Sequence, residues 1–223
     1  MKNKYNKFNP VPYEAHMLVY NMIREKSRVL DVGCATGYFA EKLRQKKCHV
    51  YGIEIDPCAA KISKSTCEEV ITTDIEEAQS LGFKRQSFDY ILLLDMLEHL
   101  KNPLRVLNML SGYLKPDGDI IISVPNIAHI SIRLKLLFGK FDYENQGIMD
   151  KSHLKFLTKS SVIKLIETAN LKMDDIDYSS DFGQLPVLGR IARYIPKRFQ
   201  YFFTRQFNTL LSVQFILVCK SKK

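Results

Sequence analysis

Apolar positions fall into two kinds of run. Short unbroken runs, such as Tyr90-Ile-Leu-Leu-Leu94 and Ile120-Ile-Ile122, suit strands buried on both faces. Between them, apolar residues recur every three or four positions, as in Met17, Leu18, Met22 and Ile23, or Leu104, Leu107, Leu110 and Leu114. The pattern predicts strands over residues 28–33, a second ending at Glu54, then Glu69–Asp74, Ser87–Asp95, Asp119–Pro125, Leu171–Tyr178 and Ser212–Cys219. Helices are predicted over Tyr13–Lys26, after Gly37 with Phe39, Ala40 and Leu43 inward, from Asp56-Pro57, over Pro103–Leu114 and Asn126–Phe138, and from a cap at Thr158 or Ser160 to Asn170. Lys115–Gly118 reads as a turn and residues 139–152 as an irregular stretch. Alternating strands and helices define an α/β domain around a mostly parallel sheet.

The first crossover carries the most chemistry. Val29-Leu-Asp-Val-Gly-Cys-Ala-Thr-Gly-Tyr-Phe-Ala40 runs from strand to small-residue turn to helix. Such a turn lets a ligand approach the backbone, because little side-chain bulk stands in the way. The next strand ends in Glu54, placed to accept hydrogen bonds from two ribose hydroxyls. A dinucleotide site wants Gly-x-Gly-x-x-Gly, whereas the spacing here is Gly33-x-Ala35-x-Gly37 after Asp31. An Ala at position 35 is tolerable where φ is negative and obstructive where it is not.

The 223 residues suit one domain, with 1–26 as an N-terminal helical lead-in and 181–210 as a basic, aromatic insertion before the last strand. Cys34, Cys48, Cys58, Cys67 and Cys219 form no Cys-x-x-Cys pair and read as reduced, mostly buried thiols. No apolar run approaches spanning length and the start lacks a signal-like core, so a cytoplasmic protein is expected, with peripheral contact at the inner face of a membrane as a variant. The net charge of +9 is uneven, since residues 182–223 hold eight Lys and Arg and no acid. That favours an anionic partner or a solvated basic rim.

Asp31-x-Gly33-x-Ala35-x-Gly37, Glu54 and Phe88-Asp-x-x-x-x-x-Asp95-x-Leu-Glu-His-Leu100, with Leu114-Lys-Pro-Asp-Gly118 and Ser123-Val-Pro-Asn126, resemble the class I S-adenosylmethionine-dependent methyltransferases. The branch resembled is that of small-molecule and lipid-quinone O-methyltransferases, and residues 125–158 resemble enzymes associated with glycan assembly. The resemblance covers about residues 28–175 and leaves the tail uncovered. It implies a Rossmann-like seven-stranded mixed sheet, order 3-2-1-4-5-7-6, with helices on both faces and the N-terminal helix over the cofactor cleft. It implies S-adenosylmethionine as cofactor and S-adenosylhomocysteine as product, held by Asp31, Gly33, Cys34, Ala35, Gly37, Glu54, Ile55, Asp74, Ile75 and Asp95. Asp74 would receive the adenine amino group with Ile75 as the apolar face of the slot. The plainer alternative is that Asp74 caps a short helix over Ile75–Ser80.

Ligands sit beyond the carboxyl ends of parallel strands, so the tips of strands 4 and 5 form the reactive edge. Asn126 and His129 fall there with Asp95, Glu98, His99 and His153. Methylating a hydroxyl needs a base or a metal, and an imidazole is suited to the first at neutral pH. His99, His153 and Glu98 are therefore the catalytic candidates. Asp95, Glu98, His99 and His153 also resemble a divalent-ion set in some relatives, although no metal is the primary expectation. His16 and His49 read as structural or solvated.

The acceptor expected is a small molecule, sugar or lipid-linked glycan, anionic in character, attacked through a hydroxyl. Tyr194, Phe199, Tyr201, Phe202 and Phe203 would serve a sugar face or a membrane contact through 185–210, with about half of them packing as core. An RNA 2′-O-methyltransferase, a non-catalytic cofactor-binding protein and a nicotinamide oxidoreductase are the alternatives. Nucleic acid is not the expected partner, since no RNA-binding module is recognisable, and no oligomeric state can be read.

Overall fold

The computed structural model describes residues 7–185, 189–192 and 194–222. Seven strands form one sheet: β1 Arg28–Val32, β2 His49–Glu54, β3 Glu69–Thr72, β4 Phe88–Leu94, β5 Leu114–Pro125, β6 Leu171–Ser180 and β7 Ser212–Ser221. Their order is β3-β2-β1-β4-β5-β7-β6, as expected. β3 through β5 pair parallel, and β7 is wedged antiparallel between β5 and β6.

The unbroken apolar runs serve both faces at once. In β4, Ile91 and Leu93 join one core cluster while Tyr90 and Leu92 join the other. Helices α1 Ala15–Met22, α2 Tyr38–Arg44 and α3 Pro57–Ser63 cover one face, and α4 Pro103–Ser111 covers the other. α5 Ile130–Leu137 follows β5, and α6 Lys159–Thr168 packs beside α4. The 181–210 segment holds α7 Gly189–Ala192 and α8 Lys197–Gln206, followed by α9 Asn208–Leu211.

Local chemistry sets the boundaries. Asp56 caps α3 by accepting from the Cys58 N–H, with Pro57 at the first turn. Thr158, rather than Ser160, caps α6 in a capping box with Ser161. The helix predicted over Asn126–Phe138 begins only at Ile130, because Asn126 turns back to bond the β7 segment and His129 becomes the cap. The predicted turn at Lys115–Gly118 is extended instead. β5 pairs Leu114 with Phe88 and Asp119 with Tyr90, so these four residues form an irregularity within the strand.

Candidate functional site

A cavity of about 440 Å³ opens at the carboxyl ends of β1, β2 and β4. β1 and β4 flank the switch point of the strand order, where α/β sheets take their ligands. The volume lies at the lower end of the ~300–1,000 Å³ typical of small-ligand pockets. Seven of the predicted cofactor residues line it: Gly33, Ala35, Glu54, Ile55, Asp74, Ile75 and Asp95.

The β1–α2 turn takes three left-handed residues, Gly33 (φ 79°), Ala35 (φ 47°) and Gly37 (φ 77°). Ala35 thus sits where its methyl is obstructive, at a backbone cost of roughly 1–2 kcal/mol. The turn is tied to β2 through the Gly33 and Cys34 N–H groups, which donate to Ile53 O at 2.8 and 3.1 Å. Glu54 adds the second tie. Its two oxygens accept from Ala35 N and Asp56 N, each at 2.8 Å, so one carboxylate fastens both loops while remaining on the cavity wall.

Asp31, Cys34 and Gly37 do not reach the wall. The Cys34 thiol packs beneath Gly52 and meets Ser63 Oγ at 3.7 Å. A Cβ on Gly37 would lie 2.1 Å from Thr66 Oγ1, so this glycine serves helix packing. Asp31 is buried in β1, and desolvation, with Glu54 nearby, pushes its carboxyl up to about 7. Asp74 Oδ1 accepts from Glu76 N at 2.8 Å, heading a single turn rather than a helix.

His16, expected as structural or solvated, also lines the cavity. Asn9 N donates to its Nδ1 at 2.9 Å, and Phe8 stacks on its ring at 5.4 Å. Burial lowers its pKa, against an upward pull from Asp95. Tyr38 and Met96 were missed as well; only their places just after the motif residues could have marked them. His49 is exposed beside Glu68, as expected.

The reactive edge is built by the residues after β4. Asp95 has φ 50°, a conformation Asp tolerates better than most residues. Its Oδ1 accepts from Ser123 Oγ at 2.9 Å and from Gln214 Nε2 at 2.5 Å. Glu98, His99 and His153 bring ligand-type atoms within 4.8 Å of one another. His99 Nδ1 donates to Ser152 O and His153 Nδ1 to Ile148 O, both at 3.1 Å. A carbonyl only accepts, so in the neutral rings each Nε2 is left with its lone pair. Burial, then the neighbouring His99, lowers the His153 pKa. Glu98 is buried, with both oxygens lacking a hydrogen-bond partner among the described residues. Desolvation and the carboxylates of Asp95 and Asp150 raise it well above the usual range. Asn126 and His129 are buried and structural, Asn126 bonding Ser212 O at 2.8 Å.

Two further cavities meet this edge. A chamber of about 80 Å³ is lined by Asp95, Glu98, His153 and Gln214, and by Gly147 and Ile148. Gly147 and Ile148 also line a cavity of about 810 Å³, walled by Ile132, Phe138, Met149 and Leu185, with Lys135 and Lys140.

Sheet order, switch-point cavity and strand-tip acid together define an α/β nucleoside-binding domain. A family model described as "Methyltransferase domain" matches residues 13–176. The chain belongs to that family. It is 25% identical over 154 residues to a ubiquinone biosynthesis O-methyltransferase of Xanthomonas campestris pv. campestris (strain B100), covering 67% of this chain and 64% of the relative. It is 26% identical over 178 residues to the same-named enzyme of Saccharophagus degradans, covering 76% of this chain and 75% of the relative. The match thus spans less than two thirds of the length of the first of these relatives. The fold resembles a SAM-dependent methyltransferase from Archaeoglobus fulgidus with a TM-score of 0.61 at 18% identity, covering 93% of this chain and 95% of that one.

Proposed function

We propose that this chain is an S-adenosylmethionine-dependent O-methyltransferase acting on a hydroxyl of a small molecule. The observation that carries the reading is the sign of the cleft. Glu54, Asp74, Glu76 and Asp95 stand on its wall against a single lysine, Lys101. Such a wall attracts a cationic nucleoside and repels the diphosphate of a dinucleotide. The residues fit the cofactor: Glu54 for the ribose, Ile55 and Ile75 for the purine, Asp74 at its edge, and an electronegative floor at Asp95. Bound there, S-adenosylmethionine supplies a methyl group on a positively charged sulfur.

The remaining steps belong to the chain. His99 stands on the cofactor cavity and its Nε2 takes the acceptor's hydroxyl proton. His153, held neutral by burial, shares that duty from the adjoining chamber. Glu98 favours its neutral form beside them and adds no charge that would compete for the proton. The larger cavity takes the acceptor's body. Its apolar wall favours a hydroxylated molecule with an apolar portion, and Lys140 favours an anionic group, Lys135 being paired with Glu144 at 2.6 Å. A lipid-linked glycan is the second acceptor class to assay.

A second reading places a divalent ion on Glu98, His99 and His153, and the unpartnered buried oxygens of Glu98 favour it. The ion would supply Lewis acidity to the hydroxyl. Asp95 stands outside that group, its Oδ1 being engaged by Ser123 and Gln214.

Calorimetry with S-adenosylhomocysteine and with NAD tests the main reading. The first should bind and the second should not, and Glu54→Ala should weaken binding by about 1.5–3 kcal/mol per charge-assisted hydrogen bond lost. Equal binding of both ligands, or unchanged affinity in the variant, sinks it.

A further inference from the structure

Helix α8 is turned inside out. Its buried face carries Gln200 and Thr204, while Phe199, Phe202 and Phe203, spaced i, i+3, i+4, face outward at 47%, 56% and 45% exposure. Phe207, at the end of the helix, is 56% exposed. About half the aromatics of this segment were expected as core, yet among the five singled out only Tyr201 packs inward, stacked on Tyr13 at 4.5 Å.

The rotation is fixed from beneath. Gln200 Oε1 accepts from Phe182 N at 3.2 Å, and its Nε2 donates to Ala192 O at 2.9 Å and Ile195 O at 2.8 Å. Thr204 Oγ1 bonds Ser180 Oγ at 2.9 Å. Rolling the helix to bury its phenyl rings would strand these buried polar groups, so the rings stay outside.

Charge says what covers them. Arg198 and Arg205 are exposed on the same helix, Arg198 over the Phe199 ring at 5.2 Å and Arg205 over the Tyr201 ring at 5.9 Å, and no Asp or Glu follows Asp181. A second copy docked symmetrically would bring this acid-free segment against itself. An anionic lipid headgroup layer offers both missing complements, negative charge for the arginines and an acyl boundary for the rings. No helix among the described residues is long and apolar enough to cross a membrane, which leaves surface docking. We infer that α8 is a membrane-docking helix that seats Phe199, Phe202, Phe203 and Phe207 in an anionic bilayer interface, with Arg198 and Arg205 at the headgroups.

The inference goes beyond methyl transfer and is tested without cofactor or acceptor. Sedimentation with vesicles of equal parts phosphatidylglycerol and phosphatidylcholine should carry the protein down, pure phosphatidylcholine should not, and high salt should release it. The triple change Phe199→Ser, Phe202→Ser, Phe203→Ser should lower the partition by about tenfold or more, and Arg198→Glu with Arg205→Glu should do the same with the rings kept. The chain has no tryptophan, so Phe202→Trp supplies a single reporter whose emission should shift to the blue on the mixed vesicles. Ile62→Trp, equally exposed on α3, should not shift. If the serine variant unfolds, the tryptophan pair decides. No partition to mixed vesicles, undiminished partition of a folded serine variant, or a dimer in light scattering that this variant splits would each overturn the inference.

Discussion

Asp31→Asn isolates the effect of burying an acid beneath the cofactor cleft. In the native chain the Asp31 carboxyl is pushed up to about 7 from 3.8, first by desolvation and then by Glu54. Between those values the native state keeps a proton that the unfolded chain has lost. Stability contributed by this group is therefore present at acid pH and falls as pH rises toward neutrality. The difference of about three units, at ~1.4 kcal/mol each, sets a ceiling of about 4 kcal/mol. Asn has the same shape and cannot ionise. Urea unfolding of both proteins at about pH 4 and about pH 8 should show the variant gaining on the native chain by a few kcal/mol across that interval. Ligand affinity carries the same signature. A cationic cofactor stabilises ionised Asp31, so native affinity for S-adenosylmethionine should rise through pH 7 more than affinity for the uncharged-sulfur homocysteine product. In the Asn variant that difference should vanish. A stability gap that stays constant from acid to neutral pH would refute the reasoning.

Ala35→Gly relieves the left-handed strain at φ 47° and should stabilise the protein by about 1 kcal/mol, read as a higher melting temperature with homocysteine binding retained. Gly37→Ala puts a Cβ 2.1 Å from Thr66 Oγ1 and 3.1 Å from the Ser63 backbone, at φ 77°, and should destabilise by about 2 kcal/mol or more. Adding Thr66→Ala should restore only part of that, since the backbone strain remains. His99→Ala and His153→Ala should each lower kcat by about a hundredfold while leaving homocysteine affinity within a factor of about two. Normal turnover in both would remove the proposed base.

The sheet and the candidate cleft at its strand tips were legible because their signals are local. Gly33, Gly37 and Glu54 announce a turn and a strand tip within some twenty residues of sequence, and β4 reads as central from Tyr90–Leu94 alone. The helix that carries His16 was expected over the cleft, but nothing marked His16 itself, because the lead-in around Phe8 and Asn9 folds back onto it, a tertiary event with no periodic trace. Lys115–Gly118 carries ordinary turn chemistry, yet pairing with β4 draws it into the strand. His129 looked like a helix interior residue and is a cap, because Asn126 is diverted to Ser212, distant in sequence. In α8 the spacing of the phenylalanines was visible, but which side they take depends on the partners of Gln200.

Gln214 belongs to β7, and through it the tail of the chain clasps the acid at the heart of the reactive edge. β7 also separates β5 from β6, so β5 lacks its outer neighbour and β6 its only one until residues 212–221 have left the ribosome. A nascent chain can assemble the nucleoside cradle of β1 and β2 early, from contacts close in sequence. The edge around Asp95, which Gln214 completes, waits for the last strand. The order of synthesis therefore withholds competence until the sheet is complete, and a chain shortened before Ser212 should grip the product nucleoside, if at all, without performing chemistry.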